Sequence, residues 1–485
     1  MWRSLRSSPT LQCVLTAVAI SSVCAGCSTG SSALGAHPAH HRSLFRSKGR
    51  LSTRLSSTGD DWTVYHHDPR GTGDASAIDL SPAHLAWISP ALDGQLYGEP
   101  LVSGGTIVVA TENDTIYALD AATGHLRWAT QIGMPVPAAA LPCGDIRPWV
   151  GITATPVIDP ARQEVFAVAD EDRSSGPVHQ LVGLSLRTGA ILLRQDVDPP
   201  NADAGALLQR TALALDRGHV VFGYGGNYGD CSNYHGWVVS VPETGGPMTT
   251  YEVDSAPGES KGAIWMGGAA PIIDAKGHIW VAVGNGSVTS EAGPYDGSEA
   301  VLELSTSLRR LQYFAPADWA GDNATDRDLG SAAPVLLGNG FVLQAGKSQT
   351  LYLLSAKRLG GVGGQLAEIS PFCADDVDGG SAISGAVAFL PCRAGVEAVA
   401  TSASLPALRV EWQTPSGSGG PPILAGGEVW TINQSGVLFG LDPSSGAVEQ
   451  RFPLGAEDNH FPTPSSGDGL LLAPSADRVY AFAGP

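Results

Sequence analysis

Charge is scarce in this chain. Asp, Glu, Lys and Arg make up 15% of the 485 residues, and 47 Asp and Glu outnumber 28 Lys and Arg. The first 60 residues carry +6 and the remainder carries −25, a balance that repels phosphate backbones and argues against nucleic-acid binding. Gly, by contrast, occurs 61 times. Because Gly reaches positive φ without strain, this composition favours many short strands and tight turns over a helical protein.

The apolar stretch near the N-terminus is too short to be a stable membrane anchor. Leu11–Val23 follows two Arg residues, an order that is typical of an export signal. The Cys-Ala-Gly-Cys sequence that ends at Cys27 resembles the lipobox of bacterial lipoproteins. We therefore interpret residues 1–27 as an export signal in which Cys27 is lipidated, with plain cleaved secretion as the alternative. Residues 28–60 lack an apolar period and are expected to form a flexible tether.

The body of the chain repeats one pattern of short apolar strands. A Pro or small residue opens a strand, a Gly turn leads to a second strand, and a polar turn leads to a third, most clearly in Pro100–Asp120 and Pro422–Asp442. Such openings occur near Pro100, Pro156, Thr211, Pro271, Pro334, Ser381, Pro422 and Pro464. Units of roughly 40–65 residues with about four strands are typical of propeller blades. Residues 61–485 are therefore predicted to be all-β, an eight-bladed β-propeller of four-stranded antiparallel blades.

Two local features predict how neighbouring blades join. Asp120, Gly124 and Trp128 stand four residues apart, so we expect Asp and Gly to make the turn into a fourth strand and Trp to pack between blades. The eighth unit shows three strands. We expect His84–Trp87, near the N-terminal end of the body, to supply the fourth and close the ring, so that truncation before Trp87 destabilises it.

These repeats resemble the pyrroloquinoline-quinone (PQQ) type repeats of quinoprotein dehydrogenases and related eight-bladed propellers. The resemblance covers residues 61–485 and is most specific at Ala118–Trp128. The opening Trp62-Thr-Val-Tyr65 resembles the start of those dehydrogenases and of the polyvinyl-alcohol dehydrogenase branch. The non-enzymatic outer-membrane assembly lipoprotein has similar repeats. The repeat therefore leaves the function open.

Four residues match the cofactor site of quinoprotein alcohol dehydrogenases, and a fifth, Asp230, lies near a further position of that site. The resemblance implies that Trp265 stacks on the quinone and that Lys347 contacts it. It implies that Asn285 is a Ca²⁺ ligand and that Asp296 is the general base and a further ligand. Asp230 is the acid nearest to the family's acidic Ca²⁺ position. Such oxygen ligands suit Ca²⁺, which would polarise a quinone carbonyl.

The departures from that family favour a different function. The acidic Ca²⁺ position near Asp230 has no Glu, the vicinal Cys pair over the quinone is absent, and no C-x-x-C-H haem site is present. We therefore expect a ligand-binding or scaffolding propeller at the cell envelope, with a PQQ- and Ca²⁺-dependent alcohol dehydrogenase, or a hydrolase or carbohydrate-binding propeller, as alternatives. The expected partner is an envelope protein or a small molecule, the expected state is a monomer, and the membrane is reached only through the lipid anchor.

The body contains four Cys residues. An even number in an exported chain favours disulfides over free thiols. Cys373 and Cys392 fall within one unit and are expected to pair, which leaves Cys143 with Cys231. Sequence alone leaves this connectivity open.

One predicted loop contains four Asp residues, Asp318, Asp322, Asp326 and Asp328. Their spacing is not that of an EF-hand, which also ends in Glu. The loop resembles the Asp-Trp loop at the entrance of quinoprotein dehydrogenases. We expect it to be solvated.

Overall fold

Eight antiparallel sheets follow one another along the chain in this computed structural model, which describes residues 61–75, 78–402, 405–414, 417, 419–456 and 461–485. Together they form an eight-bladed β-propeller, as predicted. The export signal, Cys27 and the tether lie outside the described residues. Within the described part of the chain, no helix has the length and apolar character needed to cross a membrane.

Blades 1 to 4 contain four main strands each. Their strands, in chain order, are Leu101–Ser103, Thr106–Ala110, Thr115–Asp120 and Leu126–Gln131 in blade 1, Val157–Asp159, Glu164–Arg173, Gly176–Ser185 and Ile191–Asp196 in blade 2, Ala214–Asp216, His219–Gly226, Trp237–Pro242 and Thr249–Glu252 in blade 3, and Ile272–Ile273, Ile279–Val283, Ala300–Leu304 and Arg310–Ala315 in blade 4.

Blades 5 to 8 follow the same plan. Their strands are Val335–Leu336, Phe341–Gln344, Leu351–Ser355 and Ala367–Ile369 in blade 5, Ala382–Ser384, Val387–Cys392, Gly395–Thr401 and Leu408–Gln413 in blade 6, Ile423–Ala425, Glu428–Asn433, Val437–Leu441 and Val448–Pro453 in blade 7, and Ser465–Gly467, Leu470–Ser475, Arg478–Ala483 and His84–Ile88 in blade 8.

The structure also contains short helical segments and strands in addition to the four strands of each blade. The described helical segments are one α-helix, Trp319–Thr325, and the 3₁₀ turns Ala138–Ala140, Ala204–Ala206, Met266–Gly268 and Leu329–Ser331. The additional short strands are Asp74–Ala75, Val136–Pro137, Trp149–Val150, Leu207–Leu208 and Gly361–Val362.

The predicted blade boundaries and ring closure are confirmed. Seven of the eight predicted openings immediately precede a first strand, and Thr211 lies three residues before the first strand of blade 3. His84–Ile88 pairs antiparallel with Arg478–Ala483, so the fourth strand of blade 8 comes from the N-terminal end of the body. Closure of this kind leaves no unpaired edge at the seam of the ring.

A Trp–Gly contact joins successive blades. The Trp128 ring lies against Gly189 in the next blade, and its indole N–H donates to the Leu186 carbonyl at 3.0 Å. Gly189 has a φ of +70°, and a Cβ there would lie 2.6 Å from the indole ring. Trp87 contacts Gly124 in the same way. The Trp of one blade therefore requires Gly in the turn of the next, which explains the spacing seen in the sequence.

The segment 61–75 runs around the inside of the ring, a feature that the sequence analysis missed. Its backbone or side chains hydrogen-bond to the first strands of six blades, at Val102, Ile158, Ile273, Leu336, Ile383 and Leu424. Trp62 is fully buried, and its indole N–H donates to the Glu99 carboxylate at 3.0 Å. This segment therefore connects the first strands of six blades to one another through hydrogen bonds along the inside of the ring.

The candidate residues lie on one face of the ring. Because consecutive strands are antiparallel, the turn after each second strand and the connection after each fourth strand leave a blade at the same end. We call this end the upper face. Asp230, Asn285, Asp296 and Lys347 occupy turns after second strands, and Trp265 lies in the connection between blades 3 and 4.

Candidate functional site

Asn285 is hydrogen-bonded to Asp230 across the junction of blades 3 and 4. Asn285 has a φ of 60°, a left-handed conformation that Asn tolerates. Its Nδ2 donates to Asp230 Oδ2 at 2.8 Å, and its Oδ1 accepts from the Gly286 backbone N–H at 3.0 Å. The other Asp230 oxygen accepts from the Tyr234 hydroxyl. Since the amide donor faces a carboxylate and the amide oxygen faces an N–H, both polar ends of Asn285 are satisfied by the protein.

Glu299 lies fully buried beneath Asn285 and was missed by the sequence analysis. Its two carboxylate oxygens accept from the backbone N–H groups of Asn285 at 2.6 Å and of Leu329 at 2.5 Å. Burial raises the pKa of Glu299 well above its usual range, and the negative charge of Asp328 raises it further. The position of Glu299 directly before the apolar strand Ala300–Leu304 was the feature of the sequence that could have indicated its burial.

Lys347 is held between two Asp residues of the loop that we expected to be solvated. Its Nζ contacts Asp328 Oδ2 and lies 3.3 Å from Asp326 Oδ2. Asp328 is 1% exposed and Asp322 is 5% exposed, so the expectation of a solvated loop is wrong for these two residues. The connection between blades 4 and 5 folds back over blade 4 and encloses them. Burial raises the pKa of Asp328 to about 6, and the Lys347 charge opposes that shift.

Trp265 is half-buried at the same junction. Its ring covers Gly225, where a Cβ would lie 2.3 Å from the indole nitrogen, and its N–H donates to the Gly226 carbonyl at 2.8 Å. The backbones of Ala263 and Gly284 exchange hydrogen bonds of 2.7 and 2.9 Å. The Trp265 segment is therefore fixed beside the turn that begins with Asn285.

Asp296 closes its own turn. Its Oδ1 accepts from the Ser298 backbone N–H at 3.0 Å and from the Ser298 hydroxyl at 2.6 Å. Its other oxygen is buried and has no hydrogen-bond partner among the described residues. The structure thus links Asn285 directly to Asp230, while Asp296 bonds within its own loop.

The described contacts do not fit a bound quinone with Ca²⁺. Asn285 presents its N–H to Asp230 and commits its oxygen to Gly286, whereas Ca²⁺ requires oxygen ligands. The Lys347 charge is already compensated by Asp326 and Asp328. No catalytic step therefore follows from either group, and binding of PQQ and Ca²⁺ through these residues stays a prediction.

Both expected disulfides are present. Cys143 pairs with Cys231 and Cys373 pairs with Cys392, with Cα–Cα distances of 6.0 and 5.9 Å. The first bond ties the connection between blades 1 and 2 to the turn of blade 3, directly after Asp230. It therefore fixes two loops of the upper face to each other.

The loops joined by Cys143–Cys231 also expose large apolar side chains. Met134 and Trp149, in the connection between blades 1 and 2, are 65% and 39% exposed. Tyr228, three residues before Cys231, is 71% exposed. Exposed Trp, Tyr and Met on fixed loops are typical of protein contact surfaces.

A second group of buried acids lies over blades 1 and 2. Glu112 accepts from the Gly151 backbone N–H at 2.8 Å and from the Thr153 hydroxyl at 3.1 Å. Burial raises the pKa of Glu112 to about 7, and that of Asp170 also to about 7. The upper face therefore combines several carboxylates that are costly to ionise.

Comparisons with known proteins agree with this fold. Residues 60–291 match the family model described as outer membrane protein assembly factor BamB. The chain is similar to the quinohemoprotein alcohol dehydrogenase ADHIIG from Pseudomonas putida HK5, with a TM-score of 0.66 and 13% identity over 87% of this chain and 80% of that one. It is similar to a europium-containing methanol dehydrogenase, with a TM-score of 0.64 and 13% identity over 87% and 98%. No curated protein sequence matches.

BamB itself is among the similar structures. BamB from Moraxella catarrhalis superposes with a TM-score of 0.53 and 13% identity over 83% of this chain and 97% of that one. At such identities the likeness concerns the fold. The class defined by fold and repeats is the eight-bladed β-propeller. Within it, residues 60–291 match the BamB family model, and the fold is similar to those of BamB and of the quinoprotein dehydrogenases.

Proposed function

We propose that this protein is a binding or scaffolding propeller of the cell envelope, anchored by a lipid on Cys27, and that it works without a quinone. The observation that carries this proposal is that the residues resembling a quinone site make contacts with other side chains of the protein. Asn285 is bonded to Asp230 and Lys347 is held by Asp326 and Asp328. Polar groups that satisfy one another, as in these two contacts, contribute to the stability of the face and offer little to a cofactor.

The export segment and the disulfides support a location outside the cytoplasm. Disulfides persist in oxidising compartments, and this protein contains Cys143–Cys231 and Cys373–Cys392. The short basic and apolar segment before Cys27 would direct the chain there.

A partner surface follows from the exposed side chains on the upper face. Met134, Trp149 and Tyr228 project from loops that the Cys143–Cys231 disulfide holds in place. Rigid presentation lowers the entropy cost of association, and aromatic residues contribute much of the binding energy at protein interfaces. We therefore place an envelope protein, rather than a small molecule, on this surface.

Calorimetric titration of the full chain with PQQ, with and without Ca²⁺, tests the proposal. We expect no binding heat in either condition, and the same result for Asn285→Ala. Tight Ca²⁺-dependent binding that Asn285→Ala abolishes would overturn the proposal and establish a quinoprotein. An alcohol screen with a dye acceptor would then follow.

The anchor is tested separately by fractionating cells that express the full chain. We expect wild type in the membrane fraction and Cys27→Ser in the soluble fraction. Membrane association that is unchanged in Cys27→Ser would contradict lipid anchoring while leaving the binding proposal intact.

A further inference from the structure

Three side chains of types that can bind metal ions lie close together on the lower face of blade 4, the end opposite the candidate site. Asp274 and His278 belong to the turn between the first and second strands, Ile272–Ile273 and Ile279–Val283. Glu303 lies in the third strand, opposite Trp280. The tight turn and the antiparallel register therefore bring side chains from two parts of the sequence to one point.

The ligand atoms of this cluster lie close together. His278 Nδ1 is 2.6 Å from Glu303 Oε1 and 3.6 Å from Asp274 Oδ2. All three atoms lie within 4.8 Å of one another. Ligands about 2.0–2.2 Å from a tetrahedral Zn²⁺ stand roughly 3.3 Å apart, so an ion needs only a small opening of the His278–Glu303 contact.

The surrounding hydrogen bonds orient both carboxylates. Asp274 Oδ1 accepts from the backbone N–H groups of Lys276 and His278 at 2.8 and 2.9 Å. Asp274 Oδ2 faces the imidazole and accepts a long hydrogen bond of 3.4 Å from the Trp280 indole N–H. Glu303 Oε2 accepts from the Gln312 amide, which leaves Oε1 facing the same nitrogen. Outer partners of this kind fix ligand geometry in metal sites.

We propose that Asp274, His278 and Glu303 bind a divalent transition metal, with Zn²⁺ as the best match. One imidazole nitrogen with two carboxylate oxygens suits Zn²⁺, whereas Ca²⁺ prefers a shell of oxygens. The His278 and Asp274 side chains are 25% and 19% exposed, so an ion can enter and a water can complete its coordination. This site is separate from the quinone-like residues and does not depend on the proposed function.

Blade 3 provides a matched control. It has a similar turn, Asp216-Arg-Gly-His219, between its first and second strands. Its third strand places Ser240 opposite Val221, where blade 4 has Glu303 opposite Trp280. Blade 3 therefore has the Asp and His but a hydroxyl in place of the second carboxylate.

Calorimetric titration with ZnCl₂ tests this site in the full, untagged chain carrying His37→Ala, His40→Ala and His41→Ala, so that the N-terminal histidines contribute nothing. We expect one site per chain. The affinity should fall at least about tenfold in His278→Ala and in Glu303→Gln, and should stay unchanged in His219→Ala. Excess Ca²⁺ should not displace the bound Zn²⁺.

Three results would overturn the assignment. One is the absence of Zn²⁺ binding by the parent chain. Another is equal binding by His278→Ala and the parent. Because Glu303→Gln keeps the size and hydrogen-bonding capacity of the side chain, a folded Glu303→Gln with undiminished affinity would also exclude Glu303 as a ligand.

Discussion

Blades 1 to 5 and blades 6 to 8 share one strand plan and differ in their upper loops. In the first group, the turns after the second strands of blades 3, 4 and 5 are 227–236, 284–299 and 345–350. Blades 1 and 2 have the shorter turns 111–114 and 174–175 but are joined by the long connection 132–156. In the second group, the turns after the second strands are 393–394, 434–436 and 476–477. We call the two groups the long-loop and short-loop blades.

The difference shows where this fold places its chemistry. The Trp–Gly contact is the same in both groups, since Trp412 of blade 6 contacts Gly446 of blade 7 as Trp128 of blade 1 contacts Gly189 of blade 2. The bonded pair of Asn285 with Asp230, by contrast, lies in long-loop turns. The strands therefore supply the common stability, and the loops supply what is particular to this protein.

Removing the disulfides should give the largest difference between the two groups. Cys143–Cys231 closes a separation of 88 residues, and Cys373–Cys392 closes one of 19. Because the entropy removed from the unfolded chain grows with loop length, we expect losses of about 4–5 and about 3 kcal/mol for the respective Cys→Ser pairs. Urea unfolding measures both. A larger loss for the Cys373–Cys392 pair would contradict this ranking.

Neutralising one buried ion pair should have the next largest effect. Lys347→Met leaves Asp328 buried without its cation, so we expect a loss of about 2–3 kcal/mol, below the usual range because Lys347 is partly exposed. Adding Asp328→Asn to Lys347→Met should restore part of the lost stability, because the buried carboxylate is then replaced by a neutral amide. Urea unfolding of both variants measures this.

A short-loop variant serves as the control. Arg393 is 43% exposed and lies 3.4 and 3.7 Å from carboxylate oxygens of Asp376 and Asp378. Although Asp378 is buried, these contacts are long and their cation is in water, so Arg393→Met should cost about 1 kcal/mol or less. Equal losses in Lys347→Met and Arg393→Met would show that the long-loop pair has no special role.

The pH dependence of stability should be a smaller effect. Glu112 has a folded pKa of about 7 against 4.5 for the free group, so the folded chain keeps a proton that the unfolded chain has lost. Its contribution to stability therefore falls as pH rises from about 4.5 to about 7, by at most about 1.4 kcal/mol per pH unit. Urea unfolding at pH 5 and pH 8 should show a smaller decline in Glu112→Gln than in wild type.

The control for this titration is Glu411→Gln, on the exposed fourth strand of blade 6. Its decline between pH 5 and pH 8 should match that of wild type. A Glu112→Gln variant that declines as steeply as wild type would show that Glu112 ionises freely.

The features predicted from sequence are those that local patterns determine. Strand openings follow Pro and small residues, and the recurring Gly and Trp residues form the contacts between blades, such as Trp87 with Gly124 and Trp128 with Gly189. The path of residues 61–75 around the inside of the ring was not predictable, because it depends on contacts with six distant strands. The burial of Glu299 and Asp328 was equally hidden. Acidic residues in loops are usually solvated, and only the packing of two loops over blade 4 encloses them.

The bond between Asn285 and Asp230 is the contact on which the account depends most. A double-mutant cycle with Asn285→Ala and Asp230→Ala, followed by urea unfolding, measures its coupling energy. We expect about 1–2 kcal/mol, unchanged when PQQ and Ca²⁺ are added. A coupling energy that vanishes or changes sign on adding PQQ and Ca²⁺ would contradict the account, because it would place a cation between the two side chains.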